Sequence, residues 1–263
     1  NSSAAPTGAA VYSRDGHALF VSAFSEPLRQ ADLTSGIPAW TPLAATGNGL
    51  ALDDARNLLW SVTQGTSNQR LVGVDVAPGS ATFGTVVGVV QLSPPSTSTL
   101  FTGPMMDRSR NRAVVLDAYI LATNELTIVD TDPSSPGYLL PILTTAVPNP
   151  GSGNVFVNGL KQAAFSPDGS RCYVLRDFYI FDPSTFLQMF VATELAVLDV
   201  ASGTWLDFEP AVSGIQNIRP GSGPPFPQNR SFDWIEVGPD GAIYLSGFAG
   251  AGRLDLNGLA ATW

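Results

Sequence analysis

The sequence is poor in the side chains that carry most enzyme chemistry. Its 263 residues hold one histidine and one cysteine. A single cysteine excludes an intrachain disulfide and a thiolate metal cluster, and a single histidine excludes a multi-histidine metal site. Lysine is nearly absent as well: Lys161 is the only one among 13 basic residues. Charged residues make up 13% of the chain, with 22 acidic against 13 basic, a net charge of −9. An acidic surface repels phosphate backbones, so nucleic acid is not an expected partner. No apolar run reaches the roughly 20 residues of a membrane span. What remains is a chain 44% hydrophobic, apolar enough to build a sizeable core. Its 26 glycines and 21 prolines predict many turns and few long helices.

Scarce lysine beside abundant Asp, Ser and Thr fits an exported protein. The start Asn1-Ser2-Ser3-Ala4-Ala5-Pro6 reads like a mature terminus left after signal removal. The expected location is therefore secreted, periplasmic or at the cell surface.

One pattern recurs five times: a short apolar stretch, a polar turn, then a β-branched or aromatic run. It begins at Val11, Leu50, Met105, Ala164 and Glu236, with turns such as Ser13-Arg14-Asp15-Gly16 and Ser166-Pro167-Asp168-Gly169. Each copy predicts a hairpin of two strands. A third strand follows and ends in Asp: Asp32, Asp75, Asp130, Asp199 and Asp255. Aspartate can accept from backbone amides two residues on, and the nearby Gly36, Gly79, Gly137, Gly203 and Gly258 supply positive φ, so these are turns. Fourth strands are expected at Ala39–Leu43, Thr82–Val90, Tyr138–Thr144, Thr204–Glu209 and Leu259–Trp263. Four antiparallel strands, five times, predict an all-β chain forming a single five-bladed β-propeller domain, with blades near 9–45, 46–92, 101–147, 160–212 and 231–263. The alternative is a fragment of a six- or seven-bladed propeller.

Phe165-Ser166-Pro167-Asp168-Gly169-Ser170-Arg171-Cys172-Tyr173-Val174 resembles the repeat hairpin of YVTN-type, lactonase-like propellers. Gly238-Pro239-Asp240-Gly241-Ala242-Ile243-Tyr244 is a second copy, and Asn48-Gly49-Leu50-Ala51-Leu52-Asp53 resembles blade openings of the gluconolactonase-like group. The resemblance implies the propeller fold. It also implies, as one option, a lactonase-type hydrolase with calcium or another divalent cation, for which Asn48 and Asp233 would be ligands.

The longest segments between repeats are Leu92–Pro104, Thr144–Gly159, Arg176–Thr193 and Ser213–Ser231. On a propeller they fall on one face, and long loops on a rigid scaffold are where binding concentrates. Counting four residues back from the inner-strand centres gives Gly8, Asn48, Thr102, Lys161 and Asp233, a small polar set at the mouth of the expected channel. There Lys161 and Arg230 would draw an anionic or carbonyl group, or Lys161 would pair with Asp233. The segment from Arg176 to Phe190 adds aromatics, of which Phe178, Tyr179, Phe181, Phe186 and Phe190 are candidate ligand contacts; the alternative is an extended hairpin. Gly221–Pro227 reads as a stiff, partly polyproline-like loop. His17 belongs to a hairpin turn, remote from any nucleophile, and Cys172 to a strand interior. Asp53-Asp54 and Asp130-Thr131-Asp132 are carboxylate pairs suited to calcium or to turn capping. The expectation is a non-catalytic module without a cofactor that binds a protein, glycan or small molecule, or a second copy of itself. The alternatives are the hydrolase and a structural surface or filament subunit.

Overall fold

The turns fix the register of everything between them. At Ser13–His17 the Ser13 hydroxyl donates to Asp15 Oδ1 (2.6 Å), the His17 amide donates to the same oxygen (3.0 Å), and Gly16 takes φ 73°. The turn at Ser166–Ser170 repeats this: the Ser166 hydroxyl (2.6 Å) and the Ser170 amide (3.0 Å) donate to Asp168 Oδ1, with Gly169 at φ 64°. Two other turns place Asn57 and Asn111 at φ 53°, the left-handed region asparagine tolerates best after glycine.

The computed structural model describes residues 9–22, 26–63, 70–92, 100–107, 110–118, 124–147, 155–182, 187–206, 232–247, 250–255 and 260–262. For some of these, Thr102, Phe178–Asp182 and Leu187–Ala192 among them, the backbone path alone is described. The chain forms five four-stranded antiparallel sheets, each from four consecutive strands. The first holds β1 (Ala10–Tyr12), β2 (Ala18–Val21), β3 (Pro27–Asp32) and β4 (Ala39–Thr46). The second holds β5 (Asn48–Asp53), β6 (Leu58–Thr63), β7 (Arg70–Asp75) and β8 (Val86–Gln91). The third holds β9 (Leu100–Asp107), β10 (Arg112–Ala118), β11 (Glu125–Asp130) and β12 (Pro141–Ala146). The fourth holds β13 (Val155–Phe165), β14 (Arg171–Asp182), β15 (Leu187–Asp199) and β16 (Thr204–Leu206). The fifth holds β17 (Phe232–Val237), β18 (Ile243–Gly247), β19 (Gly250–Asp255) and β20 (Ala260–Thr262). This is the five-bladed β-propeller expected from the repeat. No helix among the described residues is long and apolar enough to cross a membrane.

The third-strand aspartates do what their position predicts. Asp32, Asp75 and Asp130 each accept from the amide two residues on (Thr34, Ala77 and Asp132, all 2.8 Å). Asp199 accepts from Ser202, three residues on (2.9 Å). Two expected strand starts move for a related reason. Thr82 stays in the turn because its hydroxyl, with that of Ser80, caps Asp75 (2.6 and 2.5 Å), so β8 begins at Val86. Leu139 takes φ 63° in the matching turn of the third sheet, and β12 begins at Pro141.

The contacts divide the chain into two compact units, Asn1–Val115 with Thr127–Ile142, and Leu116–Leu126 with Leu143–Trp263. The first contains two cores. Phe20, Leu28, Leu43, Leu52, Leu59, Val72 and Val74 join the first and second sheets. Trp60, Val62, Leu71, Val90, Ala113, Val115 and Val129 join the second and third. The Trp60 ring is fully buried, and a Cβ on Gly73 would stand 3.0 Å from it, so that glycine makes room for the indole. In the second unit Tyr173, Leu175, Leu195, Val197, Ile235, Ile243 and Leu245 join the fourth and fifth sheets. Each such side chain contributes about 1.5–3 kcal/mol by leaving water, so sheet-on-sheet burial is what holds these blades together.

Of the two readings of the segment, binding loop or extended hairpin, the structure shows the hairpin: Arg176–Asp182 pairs with Leu187–Glu194. Register runs unbroken in kind from Arg171↔Asp199 to Asp182↔Leu187, with one shift between Phe178 and Tyr179, so the segment is a long hairpin extension of β14 and β15. Its run of aromatic and β-branched residues, Phe178-Tyr179-Ile180-Phe181, favours strand over loop.

Candidate functional site

The inner strands β5, β13 and β17 are each irregular near the position singled out in the sequence. In β13 the pairing with β14 shifts between Leu160 and Gln162, which makes Lys161 the extra residue of a bulge. In β17 the shift falls between Phe232 and Trp234, which does the same for Asp233. A bulge re-aims a side chain that regular pleating would send to a sheet face. Gln162 fastens the two strands beside the bulges, its Oε1 accepting from the Ile235 amide at 2.8 Å.

The re-aimed groups meet. Lys161 Nζ lies 3.0 Å from Asp233 Oδ1 and 3.0 Å from Asp177 Oδ2. Asp177 stands directly across β14/β15 from Thr193, whose hydroxyl donates to Asp177 Oδ1 at 2.7 Å. Asp177 and Thr193 are each 1% exposed, whereas the Asp233 side chain is 53% exposed and that of Lys161 31%. Burial pushes the Asp177 carboxyl upward against the pull of Thr193 and Lys161. Burial works against the Lys161 ammonium too, but the charge of Asp177 and the hydrogen bonds to both aspartates outweigh it and raise its pKa. Lys161 therefore stays protonated at neutral pH, one ammonium facing two carboxyl groups.

This arrangement bears on the chemistry available. A nucleophilic lysine needs a depressed pKa, and Lys161 has the opposite. An ammonium 3.0 Å from Asp233 Oδ1 places a positive charge beside that carboxylate, which opposes a divalent cation there by like-charge repulsion. Among the described residues no three His, Cys, Asp or Glu side chains are grouped to hold a metal ion.

Asn48 lies in a different setting in the other unit. It is half-buried between Gly47 and Gly49. The Ser61 hydroxyl, fully buried, donates to the Gly49 carbonyl at 2.8 Å. Gly49, at φ 68°, packs its backbone on that of Gly103, and a Cβ on either would overlap the other's Cα. Thr102 is described in its backbone only, as are Phe178, Tyr179, Phe181 and Phe190, while Phe186, Arg230 and the Gly221–Pro227 loop lie outside the described residues.

Asp177 and Thr193 were not singled out from sequence. The available signal was Arg176-Asp177 closing the apolar run Cys172–Leu175, a charged step inside what the alternation marks as one continuous strand. The remaining candidates occupy structural places. His17 is exposed in its turn, 3.4 Å from Asp15. Cys172 is buried as a free thiol. Asp53 accepts from Arg56 (2.7 Å), and Asp130 and Asp132 hold turn amides (2.8 and 3.0 Å).

No protein-family model matches the chain, and no curated protein matches it. Solved structures do match. Hydrazine synthase of Kuenenia stuttgartiensis aligns over 94% of this chain and 64% of its own at 13% identity, TM-score 0.63. A nidogen/laminin complex aligns over 97% and 77% at 13% identity, TM-score 0.54. The periplasmic gluconolactonase PpgL of Pseudomonas aeruginosa aligns over 97% and 68% at 13% identity, TM-score 0.53. The chain thus spans about two thirds of the hydrazine synthase chain. These likenesses show the fold, and with it the expected resemblance to lactonase-like propellers at fold level.

Proposed function

We propose that the chain is an exported, non-catalytic binding module without a cofactor, which holds a neutral, hydroxyl-rich ligand at the Lys161–Asp177–Asp233 cluster. The ligand is a glycan, or a polar surface of a protein. The carrying observation is that two bulged strands deliver opposite charges to one point, with Asp177 buried beneath Lys161. A buried ion pair is poor value for stability, because an apolar trio of similar volume does as well or better. Bulges concentrate beside binding sites. Lys161 has a third donor beyond its two ion pairs, and the exposed carboxylate of Asp233 is an acceptor, a combination suited to hydroxyl groups. Two carboxyl groups already occupy the one ammonium, which supports a neutral ligand over the anionic one anticipated from Lys161 and Arg230. Phe178, Tyr179, Phe181, Phe186 and Phe190 belong to this reading as proposed further ligand contacts. Among the structural neighbours one is a nidogen/laminin complex and another a periplasmic enzyme, which supports binding and export as uses of the fold.

Ligand-observed NMR with neutral, amino and carboxylated monosaccharides tests this. The expected result is transfer to neutral sugars, none to carboxylated ones, and loss in Lys161→Met and Asp233→Ala. Binding that ignores both substitutions, or no binding to any sugar, overturns it. Hydrolysis of gluconolactone above the buffer rate, lost in Lys161→Met, would replace it with a hydrolase.

A further inference from the structure

The Lys161 cluster fixes more than the polarity of its ligand; it fixes the spacing of the ligand's polar groups. Lys161 Nζ and Asp233 Oδ1 stand 3.0 Å apart, and both side chains reach solvent. One is a donor and the other an acceptor, side by side. They come from different strands, and Gln162 keeps those strands in place through its bond to the Ile235 amide (2.8 Å).

A lysine alone would not keep such a spacing, because its four-carbon stem is flexible. Here the ammonium is held from the buried side. Asp177 Oδ2 lies 3.0 Å from Nζ, and the Thr193 hydroxyl holds Asp177 through Oδ1 at 2.7 Å. Asp177 and Thr193 are out of a ligand's reach, each 1% exposed. A donor fixed in advance costs a ligand less ordering than a mobile one. The two carboxyl groups take two of the three N–H groups of Lys161 and leave one for a ligand.

The N–H groups of an ammonium diverge at the tetrahedral angle. An oxygen that accepts the third one in line therefore stands to the side of Asp233, and the group that donates to Asp233 must sit on the neighbouring atom of the ligand. Hydroxyls on adjacent carbons in gauche relation have that spacing. Hydroxyls on alternate carbons lie on different vectors, and a single hydroxyl reaches both groups only through bent bonds, which are weak. No amino-acid side chain carries two adjacent hydroxyls, whereas sugars do, so the spacing selects carbohydrate over a protein surface.

We infer that Lys161 and Asp233 together read one pair of adjacent, gauche hydroxyls of a sugar, with Asp177 and Thr193 as positioning residues that hold the ammonium for it. The inference rests on the proposed binding role, and two isomeric probes test it apart from that role. The all-equatorial 1,2,3- and 1,3,5-cyclohexanetriols have the same atoms, but only the first has adjacent hydroxyls. In ligand-observed NMR titrations the 1,2,3-triol should bind about tenfold more tightly, the worth of one hydrogen bond to a charged group. In Asp177→Asn and in Thr193→Val that ratio should fall towards one, and Thr193→Ser, which keeps the hydroxyl, should restore it. A purely structural role would weaken both triols alike and leave the ratio unchanged. Should Asp177→Asn misfold by circular dichroism, the two Thr193 variants carry the test. Equal binding of the triols by wild type overturns the inference while leaving a hydroxyl-binding site in place. A ratio unchanged in folded Asp177→Asn or Thr193→Val overturns the positioning role. Binding of neither triol nor any neutral sugar overturns the binding role itself, and the inference with it.

Discussion

Inner strands β5 and β13 treat the same stretch of the repeat, Asn48-Gly49 in one and Lys161-Gln162 in the other, in opposite ways. At Gly49 the backbone itself closes the space, resting on Gly103 with Ser61 bonded to the Gly49 carbonyl. At Lys161 the space is filled by a long charged side chain reaching a buried carboxylate. The first arrangement admits nothing larger than hydrogen and has no chemistry to offer. The second holds an ammonium in place at the expense of desolvating Asp177, which stability alone does not require. The difference separates scaffold from candidate site more sharply than composition does, because Asn48 and Lys161, the residues in register, are both polar in sequence.

The largest expected effect is at the closed end. Gly49→Ala adds a Cβ that overlaps Gly103 and forces alanine into positive φ, and it should remove about 3 kcal/mol or more of stability in urea unfolding. Gly103→Ala should come close to it. Second is Lys161→Met, which leaves Asp177 buried without its cation and should remove about 2–3 kcal/mol at neutral pH. The sign of its pH dependence follows from Asp177. Without Lys161 its folded pKa, already raised by burial, rises further. A raised carboxylate contributes stability that is complete below its unfolded pKa and is lost as pH rises through the folded one. The gap between variant and wild type should therefore be small near pH 4 and widen towards neutrality. Adding Asp177→Leu should recover more than half of the loss. A deficit independent of pH, or a double variant no better than the single, would show that the cluster is not governed by charge burial.

The fold was legible because its signals are local. Asp-Gly turns, Asp at each third-strand end and β-branched runs between them each act within a few residues, and they set five hairpins and their partners. The contact of Lys161 with Asp233 was legible for the same reason, since the repeat aligns the two positions. Asp177 was not. It enters because Lys161 is the extra residue of a bulge and because β14 runs on past Arg176, and neither a bulge nor a strand's length is written in residue type. The Gly49–Gly103 contact was invisible for a different reason: it joins backbones 54 positions apart, and a glycine in a strand does not say what it approaches.

Asp117 sharpens the reading of charge burial, being a partly buried carboxylate under the charge of another acid, Glu125. Its Oδ1 is buried without a hydrogen-bond partner, and burial, then the charge of Glu125, pushes its pKa up to about 6. Its ionised form therefore opposes folding above that pH. Asp117→Asn should stabilise the protein by roughly 1 kcal/mol near pH 7.5, after discounting for solvent screening, and by almost nothing near pH 4. Stabilisation of equal size at both pH values would point to the lost acceptor rather than the charge.

The smallest effect tests the other half of the comparison. Gly16 shares the positive φ of Gly49, at 73°, but a Cβ there would meet nothing within 4 Å. Gly16→Ala therefore isolates the conformational part of the Gly49 penalty and should cost about 1 kcal/mol in the same urea unfolding measurement. If it costs as much as Gly49→Ala, then backbone conformation, not contact with Gly103, makes Gly49 necessary. The end of β5 would then be open enough to admit a side chain, and its contrast with Lys161 would dissolve.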